Sequence, residues 1–180
     1  NDAISNQMQG VRVSNCINMS LKKNRLHGNR DAILIKGSQS IDAHSNNVSF
    51  NELGMAFQDC RLCKINENVA LKNGNGMVLA LSSQCTISSN KILHNRLEGL
   101  ALGSSDGNMI RENDIEGNYD GIYMDNSTNN SILVNHAFCN TDHGILLYNN
   151  SSRNTLKDNH WEENGWGLLL AQSSHNILVN

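Results

Sequence analysis

The sequence predicts an all-β, single-stranded parallel β-helix, a solenoid of about eight coils. Three observations carry this expectation. The first is composition: 38% of the 180 residues are hydrophobic but only 4% are aromatic and 17% charged. That is too few large side chains for an ordinary globular core, and too little charge for a disordered chain. The second is an excess of asparagine, 30 residues or about one in six, with no proline at all. The third is self-similarity at a fixed period, which marks a repeat architecture.

The repeat is Asn-x-apolar-x-x-Asn. It starts at Asn1, Asn24, Asn46, Asn68, Asn90, Asn113, Asn135 and Asn159, at steps of 22 to 24 residues. A small residue follows each second Asn by three or four positions: Gly10, Ala32, Gly54, Gly76, Gly99, Gly121, Gly144 and Gly167. Each opens an alternating strand such as Gly121-Ile122-Tyr123-Met124. A further apolar position lies three residues before the first Asn, at Ile65, Ile87, Ile110, Ile132 and Leu156. Several short strands per period, with no helical pattern, make each repeat one coil. Coils stacked at the inter-strand spacing of about 4.8 Å give a rod on the order of 40 Å long.

The inward set is then the pairs Val11/Val13, Ile33/Ile35, Met55/Phe57, Met77/Leu79, Leu100/Leu102, Ile122/Met124, Ile145/Leu147 and Leu168/Leu170. A core this narrow is filled by aliphatics. The asparagines are expected at the corners, where Asn and Gly best tolerate left-handed backbone. Amides repeated at one corner can bond to those above and below. A second row of small residues, Cys16, Ser38, Cys60, Ser82, Ser105, Ser127 and Ser151, sits eight residues before each first Asn. Missing proline fits a chain in which almost every N–H is needed.

The units Asn113 to Met124 and Asn149 to Leu156 resemble the repeats of right-handed parallel β-helix proteins of the NosD/CASH group, which is pectin-lyase-like. The resemblance spans the whole chain, residues 1–180, which is expected to be one domain and a segment of a larger protein. It implies secreted or surface proteins: carbohydrate-binding and sugar-hydrolase-like modules, and periplasmic maturation factors for copper enzymes. The wider superfamily adds pectin lyases and alginate epimerases. This chain lacks the Asp-Pro-His-Glu motif of those epimerases, having no proline. It also lacks the clustered basic residues and calcium-binding Asp pattern of pectate lyases.

Function is expected on the outward positions. The net charge of −3 excludes a generally basic nucleic-acid footprint. No apolar run is long enough to span a membrane. Coils six to eight place Asp120, Tyr123 and Asp125 beside Asp142, His143 and Tyr148, with Trp166 next. Carboxylates bond sugar hydroxyls and aromatic faces stack on sugar rings. The main reading is therefore a domain outside the cytoplasm (extracellular, cell-surface or periplasmic) that binds polysaccharide through Tyr123, Asp125, Tyr148 and Trp166. Processing would draw on Asp120, Asp142 and His143, as a lyase, epimerase or glycoside hydrolase. The competing view makes Asp120 and Asp142 ordinary turn residues before glycine.

The alternative reading is a structural module. The outward row Leu34, Ala56, Val78, Ala101, Tyr123, Leu146 and Leu169 is mostly apolar, and an exposed stripe of this kind is usually covered by sister copies or flanking segments. A third reading is periplasmic copper handling: His136 and His160 should be stacked neighbours with Asp114 below, a row suited to Zn or Cu. No motif demands a cofactor; Ca, Cu and Zn are the ions these side chains would suit. The odd count of five cysteines argues against a disulfide framework. Cys63 and Cys85 occupy the same position in adjacent coils, within the Cα range of a bridge, but buried small residues are the simpler reading.

Overall fold

The computed structural model describes residues 1–180. It contains 24 strands and no helix. Three eight-stranded sheets run the length of the rod, and every coil contributes one strand to each. The first sheet runs from Asp2–Ile4 to His160–Glu162, the second from Gln9–Ser14 to Trp166–Leu170, the third from Ser20–Lys22 to Ile177–Val179. All pairings are parallel and step one coil at a time, as in Leu100↔Ile122, Ile122↔Ile145 and Ile145↔Leu168. The winding is right-handed.

The core is a column of aliphatic side chains from all three sheets. The second sheet supplies the expected inward pairs, from Ile33/Ile35 to Ile145/Leu147. Ile65, Ile87, Ile110, Ile132 and Leu156 enter from the third sheet, and Leu26, Val48, Ala70, Ile92 and Ile115 from the first. Only the first and last coils depart: Val11 and Leu168 are half-buried, and Leu170 is exposed. These residues have a neighbouring coil on one side only.

Amides line two corners. Asn24 Nδ2 donates to Asn46 Oδ1 at 2.9 Å, and the relay continues through Asn68, Asn90, Asn113, Asn135 and Asn159. A parallel row joins Asn29, Asn51, Asn73, Asn95, Asn118, Asn140 and Asn164. From Asn29 and Asn46 onward each Oδ1 also takes a backbone N–H from the coil before, and most Nδ2 groups also reach a carbonyl there; Asn118 Oδ1, for example, accepts Asn95 N–H at 2.9 Å. A third row, Asn108, Asn130, Asn154 and Asn176, emerges only from Asn108 onward. The same place holds Cys63 and Cys85 in earlier coils, which hid it from a reading by asparagine period. The small-residue row also relays, with Ser82 N–H donating to Ser105 Oγ at 3.1 Å and Ser105 N–H to Ser127 Oγ at 3.1 Å.

One expectation about the corners is corrected. The left-handed residue is not the stacked asparagine but the residue before it: Lys23, Ser45, Glu67, Ser89, Glu112, Val134 and Asp158 all have φ between 52° and 55°. Phe50, Lys72 and His94 do the same before the second asparagine. Left-handed backbone costs a non-glycine residue about 1–2 kcal/mol. The four hydrogen bonds of the following amide hold the chain there regardless, so any residue type is accepted at these corners.

The glycines that open the second-sheet strands are needed for space. A Cβ on Gly121 would lie 2.4 Å from the Gly144 carbonyl oxygen and 3.0 Å from Asn140 Nδ2. The outward row from Leu34 to Leu169 is also less open than expected. Leu34, Val78, Ala101, Tyr123, Leu146 and Leu169 are half-buried and Ala56 is buried.

Candidate functional site

The second sheet carries a group of ionisable and aromatic side chains in coils five to eight. Asp120 closes the turn before Gly121, and its position repeats one coil on as His143. Oδ1 of Asp120 accepts the His143 backbone N–H at 3.1 Å and lies 2.8 Å from His143 Nδ1. Both residues are buried, at 6% and 9% exposure. Asp142 contributes from the corner side, with Oδ2 3.5 Å from the same Nδ1. One donor atom from each of Asp120, Asp142 and His143 lies within 4.8 Å of the others.

The roles within the group differ from a simple carboxylate pair. An ionised carboxylate only accepts hydrogen bonds. Nδ1 of His143 therefore carries the proton, and in the neutral ring Nε2 keeps its lone pair. Asp120, buried and committed to His143, holds the ring; Asp142, about one-third exposed, is the carboxylate open to solvent.

Aromatic residues surround the group. Tyr123 is half-buried in the centre of the sheet face, with Ala101 and Leu146 as its register neighbours. Its phenol is held above the usual tyrosine range, first by burial and then by the charges of Asp125 and Glu98. Tyr148 is the register neighbour of Asp125, and Trp166 that of His143; both rings are exposed. Tyr119 was not foreseen. It lies at the corner between the first and second sheets, where Asp142 pushes its phenol up, chiefly through hydrogen bonding. Its signal in the sequence was its place one repeat before Asp142. Glu98, one repeat before Asp120, was missed for the same reason.

This surface is open. The largest concavity, about 570 Å³, lies instead on the third sheet, among Lys22, His44, Lys64, Asn66 and Arg111. An open face suits a long chain, which needs no enclosing pocket.

The first sheet brings the imidazole row together. His136 and His160 are register neighbours, and Asp114 precedes His136 in the same row. Glu162, unforeseen, faces both rings at 3.2 Å from each Nε2. Asp114 sits on the other side of His136, with Oδ1 3.6 Å from Nδ1.

The five cysteines are free thiols; Cys60, Cys63 and Cys85 are buried. Cys60-Arg61-Leu62-Cys63 is a C-x-x-C spacing that a reading by repeat position passes over, since the two residues belong to different rows. Contact with Cys63 and burial push the Cys60 thiol up, so it stays protonated.

Continuous parallel sheets, a narrow aliphatic column and corner amides define a right-handed parallel β-solenoid. Within that class the chain belongs to the family described as "Periplasmic copper-binding protein (NosD)", whose profile matches residues 1–136 and 75–180. No curated protein matches the chain at a significant level. Several solved structures share the fold. DFA-IIIase from Arthrobacter chlorophenolicus A6, without its lid, superposes with a TM-score of 0.85 at 15% identity, over 96% of this chain and 50% of that one. The T265N mutant of the periplasmic alginate epimerase AlgG gives 0.72 at 19% identity, over 96% and 47%. The A-module of the Azotobacter vinelandii mannuronan C-5 epimerase AlgE4 gives 0.71 at 17% identity, over 97% and 60%. The chain thus spans about half the length of the structures it matches.

Proposed function

We propose that this domain acts outside the cytoplasm and binds polysaccharide along the second-sheet face of coils five to eight. The observation that carries the reading is the buried Asp120–His143 pair opening beside Tyr119, Tyr123, Tyr148 and Trp166. Rigid polar groups between aromatic faces are what sugar rings and hydroxyls require. Three of the similar structures, an alginate epimerase, a mannuronan epimerase and DFA-IIIase, support the same direction.

The charge of the face favours neutral glycans over uronates. Glu98, Asp120 and Asp125 all act on Tyr123, and Asp142 lies beside His143. A polyuronate would meet this cluster with like charge. In any turnover Nε2 of His143 would take a proton, Asp120 would hold its ring, and the phenols of Tyr119 and Tyr123, kept protonated, would be the donors.

The test is binding of the purified chain to an array of neutral and acidic glycans. Selective retention of neutral glycans, lost in a Tyr123→Ala, Trp166→Ala double variant of unchanged melting temperature, supports the reading. Retention unaltered by the double variant removes the face from consideration. Product analysis on any bound glycan, with His143→Ala alongside, then separates binding from processing.

A further inference from the structure

We infer that the groove on the outer face of the third sheet binds a phosphate-bearing sugar or polyol, with Lys64 and Arg111 holding the phosphate. The site stands apart from the glycan face on the second sheet and does not depend on that reading.

The groove, about 570 Å³, has the volume of a small-molecule site but not the usual apolar lining. Met109 is its only hydrophobic lining residue, and no Phe, Tyr or Trp takes part. Lys22, Lys64 and Arg111 face it against one carboxylate, Asp42. A chain of net charge −3 thus gathers a surplus of positive charge at this one place.

Parallel register brings uncommitted donors together. Lys64 is the direct neighbour of Thr86, and Arg111 that of Ser88. Thr86 and Ser88 alternate along one strand and so share a face. Their hydroxyls take no hydrogen-bond partner within the protein, although Ser88 is only 7% exposed. Asp42 is the register neighbour of Lys64 on the other side, but its carboxylate binds Lys22 at 2.9 Å and leaves the Lys64 ammonium unpaired. Arg111 Nη1 donates to Glu112 Oε1 at 2.6 Å, which steadies the guanidinium and leaves Nη2 and Nε to spare. Two cations therefore flank two hydroxyls, each one coil away, at a spacing of about 4.8 Å per coil.

An independent observation comes from Asn66, in the wall of the same groove. Its Nδ2 donates to His44 Nδ1 at 2.8 Å. Its Oδ1 is the one buried side-chain oxygen or nitrogen of the protein with no hydrogen-bond partner. A bare buried acceptor is costly. An anion alone cannot serve it; the ligand must also bring an O–H, which meets Oδ1 once the amide tilts outward.

Surface lysines and arginines are ordinarily solvated and nothing more. Here an unpaired ammonium, two idle hydroxyls and an orphaned acceptor converge on one cavity. A carboxylate offers two oxygens and one charge. A phosphate monoester offers three terminal oxygens and, near neutral pH, close to two charges, which suits two cations with hydroxyls between them. The hydroxyls of a sugar or polyol supply the donor for Asn66, whereas a nucleotide base would find no aromatic ring to stack on.

The test is calorimetric titration of the tag-free chain at pH 7.5 with glucose 6-phosphate, sodium phosphate, sodium sulfate and glucose. Salt at about 0.15 M screens the exposed charges. The expected result is one glucose 6-phosphate per chain, weaker binding of sulfate, which has no O–H for Asn66, and no heat from glucose. Lys64→Ala and Arg111→Ala should each lower the affinity roughly tenfold or more, the loss of a charged hydrogen bond. Asp42→Asn, which removes the competing carboxylate, should raise it. The Tyr123→Ala, Trp166→Ala double variant should leave it unchanged, so failure of the glycan face and failure of this groove read out separately. Phosphate binding as tightly as glucose 6-phosphate, with sulfate weaker, keeps the site and makes free phosphate its ligand. No heat with either phosphate compound overturns the inference. So does sulfate binding as tightly as glucose 6-phosphate, or binding that survives a Lys64→Ala, Arg111→Ala double variant of unchanged urea midpoint.

Discussion

Asp120 Oδ1 binds His143 twice, at 3.1 Å from its backbone N–H and at 2.8 Å from ring Nδ1. One carboxylate oxygen thus anchors both the strand start and the imidazole of the following coil. Replacing Asp120 with Ala strips two buried donors of their acceptor. Leaving a buried polar group unpaired costs about 1–3 kcal/mol. Urea unfolding should show a loss of that order for Asp120→Ala, and a smaller loss for Asp120→Asn, whose amide oxygen still accepts. A loss in neither variant would mean that the pair does not hold the ring.

The tyrosines of the same face predict an alkaline effect. Tyr119 and Tyr123 have their phenols raised, by Asp142 and by burial respectively. A group whose folded pKa lies above its unfolded value favours the folded state below the unfolded pKa. That contribution is lost as pH rises through the folded value, so stability should decline in the alkaline range above the ordinary tyrosine pKa. Ultraviolet difference titration should give two late-ionising phenols. Asp142→Asn should return Tyr119 toward its ordinary range and leave Tyr123 late.

Val134 offers a test of the corners. It is a β-branched residue held at φ 54°, with 54% of its surface exposed. Its side chain adds little burial, while its backbone sits where L-residues are strained. Val134→Gly removes the strain but adds unfolded-state entropy, worth about 0.5–1 kcal/mol the other way. The net expectation is a stability gain of up to about 1 kcal/mol by urea denaturation. Val134→Ala, which keeps a Cβ, should gain much less. A clear loss in the glycine variant would mean that the corner is not strained.

The fold was legible because a parallel solenoid repeats its constraints. Asn95 and Asn118 stand at the same corner for the same reason, so one asparagine explains the others. Corner strain was misread because it falls on residues such as Lys72 and Val134, whose identity the fold does not restrict. The site was half legible. Register alone brought His136 to His160 and Asp120 to His143, since each pair is one period apart. Glu162 was not legible by period, because it meets its partners through side-chain reach, folding back along its own strand to His160; Tyr119 stands one period before Asp142 and was open to the same reading, but was passed over. The division of labour between Asp120 and Asp142 was equally invisible, since it depends on burial and not on residue type.

The middle of an amide row gives the sharpest test of what holds the coils together. Asn118 Oδ1 accepts Asn95 N–H and Nδ2, each at 2.9 Å, while its own Nδ2 donates to Ile92 O at 3.2 Å and Asn140 Oδ1 at 3.1 Å. Asn118→Ala removes all four bonds and should cost roughly 2–4 kcal/mol, about one to two unsatisfied buried groups. Asn118→Asp keeps the shape and the acceptor. It turns the donor into an oxygen facing two other oxygens, and buries a charge. Burial and repulsion raise the folded pKa of the new carboxyl above its unfolded value. The variant is then least destabilised at acid pH, where the protonated carboxyl can donate one hydrogen bond, and loses stability as pH rises above the unfolded aspartate range. Urea midpoints relative to the parent protein at pH 4 and pH 7 should therefore diverge for Asn118→Asp and move together for Asn118→Ala. Equal midpoints for Asn118→Asp at both pH values would show that the donor half of the amide is dispensable and that the backbone pairs alone hold the coils.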